Sequence, residues 1–219
     1  MAVNKEMYKT IIDELGAGIT LVAVSKTKPA EDIRALYDLG QRDFGENYVQ
    51  ELVDKQPDLP AGIRWHFIGH LQSNKVKYIV PFVHLIHGVD SFKLLQEINK
   101  QSKKINRITP VLLQIHIARE ETKFGLDEKE LEEILNTPSD HLPNIKISGL
   151  MGMASFTDDM NKVRAEFKYL KLLFDKFNTP ASALNTLSMG MSSDYKMAME
   201  EGSNMVRIGS LLFGARNYS

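Results

Sequence analysis

Short apolar runs alternate with amphipathic segments along the whole chain. The runs are rich in β-branched residues, as in strands buried on both faces, and the segments between them carry apolar residues at helical spacing. About eight such pairs follow one another, which indicates a parallel sheet with helices packed outside it. The predicted strands cover residues 19–25, 43–44, 64–68, 85–87, 109–117, 146–150, 186–188 and 205–208.

The helical segments are amphipathic. An opening helix is predicted over 4–15, and Pro29 begins another that Gly40 stops. The clearest pattern covers 161–177, and the charge-rich segment 127–135 also carries an apolar stripe. We therefore expect an α/β fold, a (β/α)8 TIM barrel with an extra N-terminal helix, formed by residues 1–219 as a single domain. A flavodoxin-like open sheet is the alternative.

The composition of the chain excludes several classes of partner and of active-site chemistry. The 27 basic and 28 acidic side chains give a net charge of −1, so a nucleic-acid partner is not expected. There is no cysteine, which excludes disulfides, a thiolate nucleophile and cysteine-ligated metals. The most apolar stretch, 78–89, is too short to span a membrane, and the charged first turns do not resemble a signal peptide. A cytoplasmic location is predicted.

Lys26 follows the first strand, at the edge where barrel enzymes place their chemistry. The strand before it is almost wholly apolar, so we expect an ammonium group that is partly desolvated and suited to forming an imine with an aldehyde. A lysine that only reaches from the strand end into water remains the alternative.

The loops after the seventh and eighth strands contain Gly190, Ser192, Gly209 and Ser210, a composition that suits phosphate binding. Tight turns and helix caps are the alternative explanation. Together with Arg207, these residues outline a site for pyridoxal 5′-phosphate (PLP). In it Lys26 forms the Schiff base, the serines and Gly209 hold the phosphate, and Arg207 faces the pyridine nitrogen.

The histidines give weaker signals. His66 and His70 are four residues apart, but the glycine between them and the strand pattern disfavour a shared helical face, so no metal site is predicted. His84, His87 and His116 lie at or near strands, and we expect them to line the mouth of the barrel.

Five sequence motifs, which occur in order along the chain, give it a specific resemblance to a known protein family. The sequence resembles the pyridoxal phosphate homeostasis protein family, which is similar to the N-terminal barrel of alanine racemase. The resemblance implies that PLP binds through Lys26, with Arg207 at the ring nitrogen and Ser192 and Gly209 at the phosphate. Asn47 and Met191 match further pocket positions, and Ser210 replaces a threonine common in the family. The motifs are AVSKTKP at 23–29, FGENYVQE at 44–51, WHFIGHLQSNK at 65–75, LSMGMS at 187–192 and GSNMVRIG at 202–209.

These features favour a PLP-binding protein with little or no catalysis. Arginine keeps its proton, so a ring nitrogen facing Arg207 stays neutral and the ring is a weaker electron sink. The second racemase domain, which supplies a base, is expected to be absent. We expect a monomer that stores PLP or delivers it to PLP-requiring apo-enzymes. A racemase-like PLP enzyme is the first alternative, and a phosphate-binding barrel enzyme with an aldolase-type lysine is the second.

Overall fold

The computed structural model describes residues 3–118, 124–180 and 182–214 of the 219-residue chain. Within these ranges, eight parallel strands form a closed barrel in which each strand lies beside its neighbours in sequence. The barrel closes where β1 pairs with β8, from Thr20 opposite Met205 to Ala23 opposite Ile208. The strands are β1 Thr20–Val24, β2 Asp43–Glu46, β3 Arg64–Phe67, β4 Leu85–Val89, β5 Thr109–Ile115, β6 Ile145–Gly152, β7 Thr186–Ser188 and β8 Met205–Ile208.

Helices connect the strands and cover the outside of the barrel. Several begin at side-chain caps: Asp127 and Glu130 form a reciprocal capping box at α6, and Asp159 accepts hydrogen bonds from the first turn of α7. The helices are α1 Lys5–Leu15, α2 Ala30–Asp38, α3 Val49–Lys55, α4 Val76–Ile79, α5 Phe92–Lys104, α6 Glu128–Leu135, α7 Met160–Phe177, α8 Tyr195–Glu200 and α9 Ser210–Phe213.

The predicted (β/α)8 barrel is confirmed, and the flavodoxin-like alternative is wrong because the sheet closes on itself. The prediction ended the second strand at Phe44, whereas β2 continues through Gly45 and Glu46. Glycine and glutamate are unfavourable in strands, but Glu46 is fully buried here beside Lys55. That residues 1–219 form a single domain stays a prediction.

Two apolar clusters stabilise the fold. The larger one lies between strands and helices and includes fully buried Phe44, Phe67 and Phe167. The smaller one contains side chains from alternate strand positions that point into the barrel. It consists of Val22, Leu85, Leu112, Met151 and Met205. The barrel interior is thus only partly apolar, and polar side chains occupy the rest of it.

The extra N-terminal helix packs on the barrel wall. Helix α1 contacts β1 and α9 and buries Tyr8, Ile11 and Leu15. The backbone N–H of Asn4 donates to the carbonyl of Leu212 at 2.9 Å, which ties the start of the helix to α9. No helix in the described parts of the chain is both long and apolar enough to cross a membrane.

Candidate functional site

A cavity of about 440 Å3 opens where the strands reach their carboxyl ends. Residues after β1, β2, β3, β6, β7 and β8 contribute to its wall, as expected for the site-bearing end of a barrel. Three basic side chains lie on this wall, and none of its described lining residues is acidic. The lining consists of Val24, Lys26, Lys28, Asn47, Ile68, Met153, Phe156, Met191, Ser192, Ser193, Arg207, Gly209, Ser210 and Gly214.

Lys26 stands two residues beyond the end of β1, half-buried in the cavity wall. The residue before it is anchored firmly: Ser25 is fully buried and its hydroxyl donates to Glu46 Oε1 at 2.7 Å. The residue after it, Thr27, has a positive φ of 62°, and its N–H donates to Glu51 Oε1 at 2.5 Å. Hydrogen bonds of the residues on both sides therefore hold the backbone of Lys26 in place, in a turn at the cavity wall.

Lys55 on α3 connects the groups that hold this turn. Its ammonium donates to the carbonyl of Ser25 at 2.9 Å, to Glu46 Oε1 at 2.9 Å and to Glu51 Oε1 at 2.6 Å. Burial raises the pKa of the Glu46 carboxyl, while the Lys55 ammonium and the hydroxyl of Ser25 act in the opposite direction. The sequence did not predict this network, because its members are ordinary helix and strand residues.

The loops after β7 and β8 meet at a hydrogen bond. The N–H of Gly209 donates to Ser192 Oγ at 3.2 Å, directly before α9 begins at Ser210. The first N–H groups of a helix have no partner within it, so Ser210 brings donors to the same wall. Gly190 has a φ of +94°, and an added Cβ would lie 2.6 Å from the Cβ of Ala198, so only glycine suits that turn.

Arg207 lies on β8 and is 4% exposed. Its Nη1 donates to the carbonyl and the hydroxyl of Ser188, at 3.0 and 2.6 Å, and its Nη2 donates to the carbonyl of Gly152 at 3.1 Å. Burial lowers the pKa of Arg207 to about 10, with Asp194 acting against the shift, so the guanidinium stays charged at neutral pH.

Asn47 follows β2 and lines the cavity with an unpaired acceptor. Its Oδ1 is buried and has no hydrogen-bond partner among the described residues. The backbone of Gly69 makes room for it, since a Cβ on Gly69 would lie 2.3 Å from the Asn47 carbonyl oxygen. A buried acceptor without a donor is costly, so a bound molecule with a hydroxyl group would satisfy this position.

The seven residues predicted as a site all line this one cavity, although the sequence scatters them widely. They are Lys26, Asn47, Met191, Ser192, Arg207, Gly209 and Ser210. Sequence reasoning missed Met153 and the highly exposed Phe156, which lies on the rim. Neither carries a chemical signal that would have separated it from other apolar residues in loops.

The expectation that His84 and His87 line the barrel mouth is wrong. His87 is fully buried inside the barrel, and His84 precedes β4, at the opposite end of that strand from the cavity. Their position could not be read from the sequence because a histidine beside a strand fits either end. His87 contacts His66, whose Nδ1 lies 2.9 Å from His87 Nε2.

Asp43, His66 and His84 place potential metal-ligand atoms within 4.8 Å of one another, where Asp43 begins β2, His66 lies within β3 and His84 precedes β4. Both carboxylate oxygens of Asp43 are occupied by the guanidinium of Arg64, at 2.7 and 2.5 Å. That positive charge opposes a cation. Burial alone would raise the pKa of Asp43, but hydrogen bonds and charge from Arg64 and His66 hold it well below its usual range.

The closed barrel and the lysine at its mouth define a protein of the alanine racemase N-terminal domain class. The family model described as alanine racemase, N-terminal domain, matches residues 5–217. The chain belongs to the pyridoxal phosphate homeostasis protein family. It is 43% identical over 200 residues to the Aquifex aeolicus protein of that name, which covers 90% of this chain and 87% of the relative.

The human pyridoxal phosphate homeostasis protein is 43% identical over 213 residues, covering 91% of this chain and 77% of the relative. Among solved structures, PipY of Synechococcus elongatus with PLP bound superposes with a TM-score of 0.86 at 34% identity. That match covers 95% of this chain and 99% of PipY. A Clostridium difficile alanine racemase, at 15% identity and a TM-score of 0.79, shares the fold over 98% of this chain and 57% of the racemase.

Proposed function

We propose that this protein binds PLP in the cavity at the carboxyl ends of the strands and acts in PLP homeostasis. The observation that carries the proposal is the convergence of Lys26, Arg207 and the Ser192–Gly209 pair on one cavity. Relatives named pyridoxal phosphate homeostasis proteins and the PLP-bound structure of PipY support it.

The residues present fit the chemical groups of PLP. Lys26 would bind the aldehyde covalently, and Arg207 would donate to the ring nitrogen. Ser192, Gly209 and Ser210 would hold the phosphate, with Met191 packing beside them. The unpaired Oδ1 of Asn47 would accept a hydrogen bond from the phenolic hydroxyl, and the cavity of about 440 Å3 is within the usual range for a small ligand.

Bound PLP would supply an aldehyde that reacts with amines and a ring that can withdraw electrons. Arg207 limits the second property. Its guanidinium remains protonated at neutral pH and donates a hydrogen bond without giving up its proton, so the ring nitrogen stays uncharged. This arrangement favours holding PLP over turning over amino acids, and we propose that the protein has little or no catalytic activity.

Bound PLP would be delivered to other proteins. PLP-requiring apo-enzymes are the recipients that a PLP-holding protein would serve, and delivery requires a shared compartment, which we propose to be the cytoplasm. We also propose that the protein acts as a monomer.

Borohydride reduction tests the assignment of Lys26. The purified protein is incubated with PLP, reduced, digested and analysed by mass spectrometry, beside Lys26→Ala and the control Lys28→Ala. Lys28 also lines the cavity, where its ammonium donates to the carbonyl of Phe213 at 2.8 Å. We expect a reduced PLP adduct on Lys26 in the wild type and in Lys28→Ala, and its loss in Lys26→Ala.

A colourless wild type that yields no adduct after incubation with PLP would overturn the proposal and favour a phosphate-binding barrel enzyme. An adduct on Lys28 would show that PLP binds covalently to Lys28 and not to Lys26. Racemisation of amino acids by the wild type at an enzymatic rate, lost in Lys26→Ala, would reject the non-catalytic part and favour the racemase-like alternative.

A further inference from the structure

A line of hydrogen bonds crosses the inside of the barrel and ends on Arg207. It runs through Asp43, His66, His87 and Ser188, which we call the interior network, on β2, β3, β4 and β7. All four are at most 7% exposed, and none of them lines the cavity. The successive links are Arg207 Nη1 to Ser188 Oγ at 2.6 Å, Ser188 Oγ to His87 Nδ1 at 3.4 Å, His87 Nε2 to His66 Nδ1 at 2.9 Å and His66 Nε2 to Asp43 Oδ1 at 2.9 Å.

The donor at one end of the network and the acceptor at the other allow one continuous order of hydrogens between them. A carboxylate only accepts, so His66 Nε2 carries a hydrogen and donates it to Asp43. In neutral His66, Nδ1 must then accept from His87 Nε2. The free Nδ1 of His87 accepts from the hydroxyl of Ser188, whose oxygen accepts from Arg207. All donors therefore point away from Arg207 and toward Asp43, with no conflict along the line.

Burial supports a neutral His87 in this arrangement. Desolvation lowers the pKa of His87 well below its usual value, and the charge of Arg207 acts in the same direction. A neutral His87 carries no charge into the middle of the line, whose two ends are the positive Arg207 and the negative Asp43. The charges at the two ends polarise the hydrogen bonds between them, which strengthens those bonds in a low-dielectric interior.

Packing alone does not account for these side chains. Apolar residues already fill part of the same interior, including Val22, Leu112 and Met151, and apolar side chains of similar volume would fill the rest without needing partners. A buried polar network is favourable only when each member is satisfied. The one member of this line that reaches the cavity is Arg207, which gives the polar arrangement a function at the site.

We propose that the interior network is a positioning device for Arg207. By fixing both histidine tautomers, it fixes the direction in which Ser188 accepts from Nη1, and so holds the guanidinium in the orientation that faces the cavity. This inference rests on the proposed function, because the group that Arg207 meets there is the ring nitrogen of PLP. His87 and Ser188 are positioning residues, which act through Arg207.

Nuclear magnetic resonance of the PLP-free protein, labelled with 15N in histidine and arginine, tests the network independently of PLP. We expect the hydrogen of each ring, His66 and His87, on Nε2, with Nδ1 as the acceptor. Ser188→Ala should shift the Nδ1 signal of His87 and speed the exchange of the Arg207 side-chain hydrogens. The control His84→Gln alters a neighbour of His66 outside the network, with ring centroids 5.4 Å apart, and should leave the Arg207 exchange rate unchanged. A hydrogen on Nδ1 of His87 would overturn the proposal.

The visible absorbance band of bound PLP and its Kd provide the second test. Ser188→Ala should shift the band and weaken binding about tenfold, the effect of losing a hydrogen bond to a charged group. Asp43→Asn should shift the band in the same direction although Asp43 does not line the cavity. Ser188→Thr, which keeps the hydroxyl, should restore the wild-type band.

An unchanged band and Kd in Ser188→Ala would overturn the positioning role. A failure of the proposed function can be distinguished from a failure of the positioning role. A wild type that does not bind PLP defeats the proposed function, whereas a wild type that binds PLP with a band insensitive to Ser188→Ala and Asp43→Asn defeats only this inference. The histidine tautomers are measured without PLP, so they are decided in either case.

Discussion

The ammonium of Lys55 donates a 2.9 Å hydrogen bond to the carbonyl of Ser25, the residue directly before Lys26. The same ammonium is the ion-pair partner of Glu46, whose side chain is completely buried and whose other oxygen has no partner among the described residues. Helix α3 thus supports the turn that carries the candidate PLP-binding lysine.

Lys55→Met should lower the free energy of unfolding by about 3–5 kcal/mol, because removing one partner of a buried ion pair leaves the other charge uncompensated. The deficit should grow from pH 5 to pH 8, since Glu46 can take up a proton at the lower pH. Urea denaturation monitored by tryptophan fluorescence measures both effects. Lys196→Met, which removes an exposed partner of Glu14, is the control and should leave the midpoint nearly unchanged. Equal midpoints for the two variants would contradict the prediction.

Gly69→Ala should destabilise the protein by about 1–3 kcal/mol and weaken PLP binding. The added Cβ would lie 2.3 Å from the carbonyl oxygen of Asn47 and 2.8 Å from its Cα, so backbone at the cavity wall must move. Gly18→Ala is the matched control, because a Cβ there meets no atom within 4 Å. Thermal unfolding and PLP titration of both variants test this, and wild-type affinity in Gly69→Ala would speak against it.

Asn47→Leu should weaken PLP binding without lowering the stability of the PLP-free protein. The buried Oδ1 of Asn47 lacks a partner among the described residues, so replacing the amide with an apolar side chain should preserve or raise the free energy of unfolding without PLP. PLP affinity should fall. In Asn144→Leu, by contrast, the carbonyl of Arg107 loses a 2.9 Å hydrogen bond, so that variant should lose stability while binding PLP normally. Loss of stability in both variants would show that Asn47 has a structural partner.

The stability contributed by Asp43 should depend on acid pH. Although burial opposes it, the pKa of Asp43 in the folded protein is held below its usual range by Arg64 and His66. Below about pH 4, the ordinary value for aspartate, the unfolded chain therefore binds a proton that the folded protein does not. The free energy of unfolding falls as pH drops through that window. The difference between the wild type and Asp43→Asn, measured by urea denaturation from pH 7 to pH 3, should shrink, and parallel curves would contradict the assignment.

Much of the fold follows from local patterns. All eight strands overlap their predictions, and the strands at 186–188 and 205–208 agree exactly in range, because apolar runs between turn residues are read locally. The residues of the cavity could be predicted from the sequence for a related reason. Lys26, Ser192 and Gly209 lie within four residues of the carboxyl ends of strands, and the topology of a barrel brings such positions together.

The supporting residues could not be read in the same way. The hydrogen bond from Lys55 to Ser25 depends on where α3 packs on the barrel, and the 2.9 Å contact between His66 and His87 depends on which strand faces point inward. Neither is a local property of the sequence. Burial of Glu46 was missed because a glutamate next to a short strand usually faces solvent.

The seam at which the barrel closes has a consequence for the timing of assembly. Lys26 follows β1 and Arg207 lies on β8, and these strands pair with each other at opposite ends of the sequence. A ribosome completes β1 long before β8, so a nascent chain carries the lysine without the pocket. PLP capture must then follow release of the last strand, and a ligand that binds only the closed barrel stabilises it by mass action. The supply of PLP would thereby influence how much newly made protein survives proteolysis before the barrel closes.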